Sequence, residues 1–230
     1  MYSYQFEEFG GFTPETFEFL KNLKTHNNKA WFESHRQDYE QYLLRPLRQL
    51  VMELGEFMLT IDAGFEIQPA VNKTISRIYR DTRFSKDKSL YRANMWVVFK
   101  NPDPEWKSKP GYFFEIFPDW YRYGMGFYSP RPATMANLRE KIDSRSPDIM
   151  QVIDIIREQD EFELAGEKYK RILDPDKAPD IQKWYQRRDL YLVCNREIDD
   201  LLYSLDLVHV LIRGFQFLAP VYHLLCEISR

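Results

Sequence analysis

An α+β fold, with helices packed on a mainly antiparallel twisted sheet, is what this sequence predicts. Three observations carry the expectation. Apolar residues recur at helical spacing through the first quarter of the chain. Short stretches rich in β-branched and aromatic residues cluster between residues 75 and 128. Helical periodicity then returns and closes the sequence. No internal repeat, low-complexity tract or flexible linker interrupts the pattern, so residues 1–230 are expected to form a single domain.

Thr13-Pro14-Glu15 reads as a helix start, with a capping hydroxyl, proline in the first turn and an acid at the positive end of the dipole. Phe17, Phe19, Leu20 and Leu23 give that helix its apolar side, and His26-Asn27-Asn28 breaks it. Asn28 is placed to cap a second helix running through Trp31, Phe32, His35, Tyr39 and Tyr42 to about Leu44. Pro46 fits the first turn of a third, with Leu47, Leu50, Val51, Leu54, Phe57 and Met58 inward. Ile75–Arg80 and Met95–Lys100 read as strands, and so do Tyr112–Phe117 and Tyr121–Tyr128 around a turn at Pro118-Asp119-Trp120. Gly124 and Gly126 mark a bulge or a close backbone approach in the last of these. Helices are expected over Pro132–Ile142 and Pro147–Gln159, then a short strand at Phe162–Leu164. Gly166–Asp180 follows as a connector, with a helical turn at Ile181–Tyr185 and a strand at Leu190–Cys194. Helices at Ile198–Tyr203 and Leu207–Ile228 finish the chain.

Composition excludes several classes of function. Aromatic residues make up 16 % of the 230, which suits a packed globular protein and argues against disorder. A formal net charge of −3 gives the molecule no general attraction to nucleic acid or to an anionic membrane, so nucleic acid is not an expected partner. No run of about 18 apolar residues exists to span a membrane. The first residues, MYSYQFEEFGGF, lack the basic and apolar blocks of a signal peptide, so a cytoplasmic location is expected. Cys194 and Cys226 are isolated thiols that read as small buried hydrophobes.

The stretch with the most chemistry in it is Ser76–Arg92, SRIYRDTRFSKDKSLYR. Arg77, Arg80, Arg83, Lys86, Lys88 and Arg92 face only Asp81 and Asp87 there, and the flanks are apolar. A cationic loop on a structured stem follows. Arginine grips carboxylate or phosphate at two points and lysine adds a mobile point charge. The six cations are therefore the candidate ligand-binding residues for a phosphorylated or carboxylate-bearing small molecule. An internal salt-bridge network that fixes a long loop explains the same residues, and Tyr79, Phe84 and Tyr91 would let a base stack between them. So small a patch on an acidic protein would hold nucleic acid only weakly.

Glu115 lies in YFFEIF, where both alternating faces are otherwise apolar. A carboxylate there needs a partner, and an ion pair with Arg77, Arg80 or Arg92 would supply one. The same residue is the candidate catalytic acid or base if a reaction occurs. Asn28, Trp31 and Arg36 form a second polar and aromatic group at a helix start, explained by capping at Asn28 and core packing at Trp31. No metal site is expected: His26 and His35 lack partners at ligand spacing. His209 and His223 would stand roughly 21 Å apart on one helix. The acids Glu197, Asp199, Asp200 and Asp206 read as a solvated helix start. No nucleotide-fingerprint, Walker or nucleophile-elbow motif occurs, and no cofactor is implied.

The segments Asn27-Asn28-Lys29-x-Trp31-Phe32 and Arg77-Ile78-x-Arg80-Asp81-x-Arg83-Phe84-Ser85-x-Asp87-Lys88-Ser89 together resemble a conserved bacterial family of unknown function, also found in fungi. The resemblance runs from about Phe12 to Leu225 and takes in Lys168-Tyr169-Lys170-Arg171 and Phe217-Leu218-Ala219-Pro220. Leu90 stands where that family usually has proline. The resemblance implies one full-length cytoplasmic domain whose signature positions include Arg77, Arg80, Asp81, Arg83, Ser85, Asp87 and Lys88. It brings no activity, substrate or cofactor with it. Three functions stay open on the sequence: binding of an anionic small molecule, a structural or protein-interaction domain, and an enzyme acting on a nucleotide or sugar phosphate.

Overall fold

A computed structural model of the chain describes residues 8–83 and 85–230. The elements follow in the order α1 (Pro14–Thr25), α2 (Lys29–Ser34), α3 (Arg36–Asp38), a π-helical stretch (Tyr39–Leu44), α4 (Arg45–Ile61), β1 (Met95–Phe99), β2 (Pro110–Ile116) and β3 (Trp120–Phe127). Then come α5 (Pro132–Asp143), α6 (Pro147–Arg157), β4 (Glu163–Ala165), α7 (Pro179–Tyr185), β5 (Tyr191–Glu197), α8 (Asp206–Phe217) and α9 (Ala219–Ile228). The strands form one antiparallel sheet in the order β1-β2-β3-β5-β4, so the fold is α+β. No single helix among the described residues is long and apolar enough to cross a membrane.

The chain divides into two compact units. The first takes in the chain up to Phe99 with Phe113–Arg122 and Asn195–Arg213; the second holds Lys100–Tyr112, Tyr123–Cys194 and Gly214–Arg230. In the first unit, Leu20, Leu23, Leu43, Leu47, Leu50, Val51, Leu54 and Met58 are buried, as their helical spacing requires. Phe12 stacks on Phe114 with ring centroids 5.8 Å apart. In the second, Tyr112 packs edge-on to Phe215 and Tyr123 packs edge-on to Phe162. Gly124 and Gly126 fulfil the close-approach expectation: a Cβ on Gly124 would stand 1.9 Å from the carbonyl oxygen of Leu192.

Three expectations change, and a fourth holds with an added detail. The third helix is α4, with Pro46 in its first turn as expected, but the π-helical stretch runs directly into it. In an α-helix the carbonyl of Tyr42 would accept from residue 46, and proline has no N–H to give. The buried hydroxyl of Thr16 donates to that carbonyl instead, at 2.5 Å, so the chain continues without a break. The helix expected over Leu207–Ile228 is divided at Leu218. Pro220 removes the donor that the Gln216 carbonyl would need. Asp200–Tyr203 is a single 3-10 turn rather than a longer helix.

The third change lies at the site. Ile75–Arg80 is not a strand; it makes isolated bridges, Ile75 to Val97 and Tyr79 to Tyr91. Ser76 donates its N–H to the Trp96 carbonyl and accepts the Trp96 N–H on its hydroxyl, whereas Ile78 accepts from Arg92 and Arg80 donates to Leu90. The two pairings are out of step, with one residue between them on one arm and three on the other. A continuous ladder therefore cannot form between the two arms.

Candidate functional site

Three parts of the first unit build the site: the cationic loop, the turn between α1 and α2, and the solvent-facing side of β1, β2 and β3. The loop is closed at its base by the Tyr79–Tyr91 bridge. Asn27 holds that base in place. Its amide donates to the Tyr91 carbonyl at 2.9 Å and its side-chain oxygen accepts from the Tyr91 N–H at 3.0 Å, as a neighbouring strand would. Phe32 of α2 stacks on Tyr91 with centroids 4.2 Å apart and meets Tyr79 edge-on. The two sequence segments that carry the family resemblance therefore touch. Burial pushes the Tyr39 phenol up to about 12, with the Glu40 carboxylate adding to the effect.

Within the loop most polar groups are satisfied by one another. Arg80, with a quarter of its side chain exposed, pairs with Asp87. It also donates to Ser89 at 3.0 Å and to Ser85 at 3.3 Å. Asp87 accepts from the Ser89 N–H and hydroxyl as well. These serine bonds first, and then Arg80, lower its carboxyl to about 2. Arg83 grips Asp81 at two points, 2.6 and 2.9 Å, which holds that carboxyl far below its usual range. Lys88 donates to the Thr82 carbonyl at 3.0 Å, a neutral acceptor. Arg77 and Lys86 are exposed and make no hydrogen bond or ion pair among the described residues. Phe84, expected as a stacking residue, lies outside the described residues.

Arg92 leaves the loop and turns toward the sheet, its guanidinium 4.9 Å from the centre of the Trp96 ring. Residues 94, 96, 113, 115, 117, 120 and 122 share the side of β1–β3 that faces away from the core. Their alternation shows in the burial pattern, where Met95, Val97, Phe114 and Tyr121 are buried and Trp96, Phe113, Trp120 and Arg122 are half-buried. Glu115, its side chain 10 % exposed, sits in the middle of this face. The cation that holds it is Arg122 on β3, at 2.6 and 2.7 Å, and Asn94 donates to its other oxygen at 2.6 Å. Arg122 lies 5.5–5.7 Å from the ring centres of Phe113, Phe117 and Trp120, and the last two stack at 3.9 Å.

Sequence reasoning placed the cationic loop and recognised that Glu115 needs a partner. Arg122 was missed because it is cross-strand to Glu115, a relation that exists only once the β2–β3 hairpin has its register. The available signal was the two-residue alternation through Phe113, Glu115, Phe117, Trp120 and Arg122. Asn27 was missed because capping needs only Asn28, whose side chain accepts from the Trp31 N–H at 3.0 Å. Trp31 itself is half-buried and stacks on His35 at 4.1 Å, so core packing describes only part of its surroundings. Arg36 pairs with Glu33. No group of His, Cys, Asp and Glu among the described residues has the arrangement to hold a metal ion.

An open hollow of about 670 Å³ is lined by Phe17, Glu18, Lys21, Asp119, Glu197 and Tyr203, among others. Lys21 pairs with Asp119 there at 3.3 Å, which leaves the lining acidic and unsuited to an anion.

Residues 15–224 match a family described as "Conserved hypothetical protein (DUF2461)". No curated protein matches the chain.

Proposed function

The chain belongs to the conserved hypothetical family DUF2461, and on that premise we propose that it binds a phosphorylated or carboxylate-bearing small molecule at the rim of the cationic loop. One observation carries the reading. Both acids of the loop are taken, Asp87 by Arg80 and Asp81 by Arg83 with a smaller pull from Arg77, while Arg77 and Lys86 make no ion pair among the described residues. Among the described residues Lys88 meets only a carbonyl. Positive charge therefore exceeds negative charge at a surface whose backbone is held by Asn27 and by the Arg80 network. A preorganised cluster of this kind binds an anion without first having to order itself.

In this reading the six cations divide into two roles. Arg80 and Arg83 shape the loop, and Arg77, Lys86, Lys88 and Arg92 meet the ligand. Neither cysteine is in a disulfide, which suits a reducing compartment such as the cytoplasm. A second reading, a structural or interaction domain, is favoured by Arg80 alone, whose donors are satisfied inside the loop. Catalysis by Glu115 draws no support from the geometry, because Arg122 and Asn94 engage both of its oxygens.

A thermal-shift screen of phosphorylated and carboxylated metabolites separates these readings. A ligand present at 100 times its Kd stabilises by about 2.7 kcal/mol, a readable shift for a chain of this size. The expected result is a shift that vanishes in the Arg77→Ala/Lys86→Ala double variant while its ligand-free Tm stays unchanged. A shift of equal size in the double variant, or none with any anion, overturns the reading.

A further inference from the structure

We infer that the solvent-facing side of β1, β2 and β3 is a stacking platform for the base of a nucleotide, whose phosphate meets the cationic loop. The inference rests on the anion-binding reading for the phosphate and adds the chemical class of the rest of the ligand. Trp96, Phe113, Phe117 and Trp120 are half-buried on this side, and all belong to the first unit. Two guanidinium groups lie among them: Arg92 against Trp96 at 4.9 Å, and Arg122 against Phe113, Phe117 and Trp120 at 5.5–5.7 Å. Rings interleaved with planar cations are the surface on which a nucleobase stacks, because every base offers a π-face and tolerates a guanidinium beside it.

The arrangement selects among occupants. A purely apolar protein segment would bury the hydrogen-bonded row Asn94–Glu115–Arg122 and the Arg92 guanidinium without supplying polar partners. An uncharged sugar would stack on the rings but bring no charge to the loop's excess cations, Arg77 and Lys86. A long single strand of nucleic acid needs a continuous basic track, which a molecule of net charge −3 does not suggest. A mononucleotide answers both features. Arg92 joins them, since it closes the cationic loop and stacks on Trp96, four residues further along the chain.

Isothermal titration of the full chain tests the inference with eight probes: the four nucleoside monophosphates of RNA, adenosine, ribose 5-phosphate, inorganic phosphate and a (dT)12 oligonucleotide. At least one nucleoside monophosphate is expected to bind about tenfold or more tightly than ribose 5-phosphate. Trp96→Ala is expected to remove that advantage and leave ribose 5-phosphate unaffected, with Trp96→Phe restoring most of it. A thermal melt of each variant separates lost binding from lost folding.

Ribose 5-phosphate binding as tightly as every nucleotide overturns the platform and leaves the anion site standing. Adenosine binding as tightly as its monophosphate, unchanged by Arg77→Ala/Lys86→Ala, overturns the anion site and leaves the platform. Tighter binding of the oligonucleotide than of every mononucleotide overturns the small-molecule class. Silence from all eight probes overturns both.

Discussion

The cationic loop and the β2–β3 hairpin hold the same kind of bond in opposite surroundings. In the loop, Arg83 and Asp81 are two residues apart in sequence, with 77 % of the arginine side chain and 36 % of the aspartate side chain exposed to water. On the sheet, Glu115 and Arg122 face each other across two strands, with three aromatic rings around the guanidinium and only a tenth of the carboxylate side chain exposed. The loop pair is the better placed of the two to form in an unfolded chain, and water screens it; the sheet pair exists only after folding and is shielded. An ion pair is therefore worth reading for function only with its surroundings in view. Exposed pairs set local shape, and buried ones hold the fold and lose much when one partner is removed.

Removing Arg122 tests the buried side of this contrast and carries the largest expected effect. Arg122→Ala leaves the Glu115 carboxylate with Asn94 as its remaining donor among the described residues, in a largely closed place. Thermal unfolding should show a loss of about 2–4 kcal/mol, below the 3–5 typical of fully buried pairs because the guanidinium is 30 % exposed. At about 2–4 °C per kcal/mol for a chain of this size, the fall in Tm is several degrees at least. An unchanged Tm would remove the contrast.

Next in size is Asn27→Ala, which deletes both hydrogen bonds that tie the loop base to the α1–α2 turn. Losing partners for a half-buried backbone costs about 1–3 kcal/mol. Hydrogen exchange should quicken at Tyr91 and Arg92 while the rest of the chain keeps its protection. If exchange at those two amides does not change, the loop is held by something other than Asn27.

Acid acts on the loop more gently. The Asp87 carboxyl is lowered to about 2 in the folded chain, against an ordinary value near 3.9 when unfolded. A depressed carboxylate contributes stability that is present above the unfolded value and disappears as pH falls through the folded one. The Arg80–Asp87–Ser89 network should thus persist at pH 4 and dissolve toward pH 2. Carbon-detected NMR of the Asp87 carboxyl should give a midpoint near 2, and one near 4 would mean the network does not form in solution. The smallest effect belongs to Arg83→Ala. Its pair with Asp81 lies in water, and the expected Tm is indistinguishable from that of the parent chain.

How much of the site was legible follows from the range of each interaction. Helix starts at Pro14, Pro132 and Pro147, and the strands β1, β2 and β3, follow from local spacing and from residues acting on their neighbours. The cationic loop was legible for the same reason, since its charges are contiguous. Ile75–Arg80 misled because its β-branched and aromatic composition speaks to strand propensity, whereas a ladder also needs one partner in constant step. The helix start at Pro46 was legible, but its unbroken join to the stretch before it was not, because the Tyr42 carbonyl that proline leaves without a donor takes the hydroxyl of Thr16, 26 positions earlier in the chain.

The sequence by itself determined the α+β class, the order of its main elements and the excess of cations over acids between Arg77 and Arg92. Only the tertiary structure decided which cations the loop consumes internally, that Asn27 anchors its base, and that Arg122 rather than a loop arginine holds Glu115. The physical reason is distance along the chain. Propensity and charge density act between neighbours and can be read in order, whereas cross-strand pairing and ring contacts depend on a register that the whole fold sets.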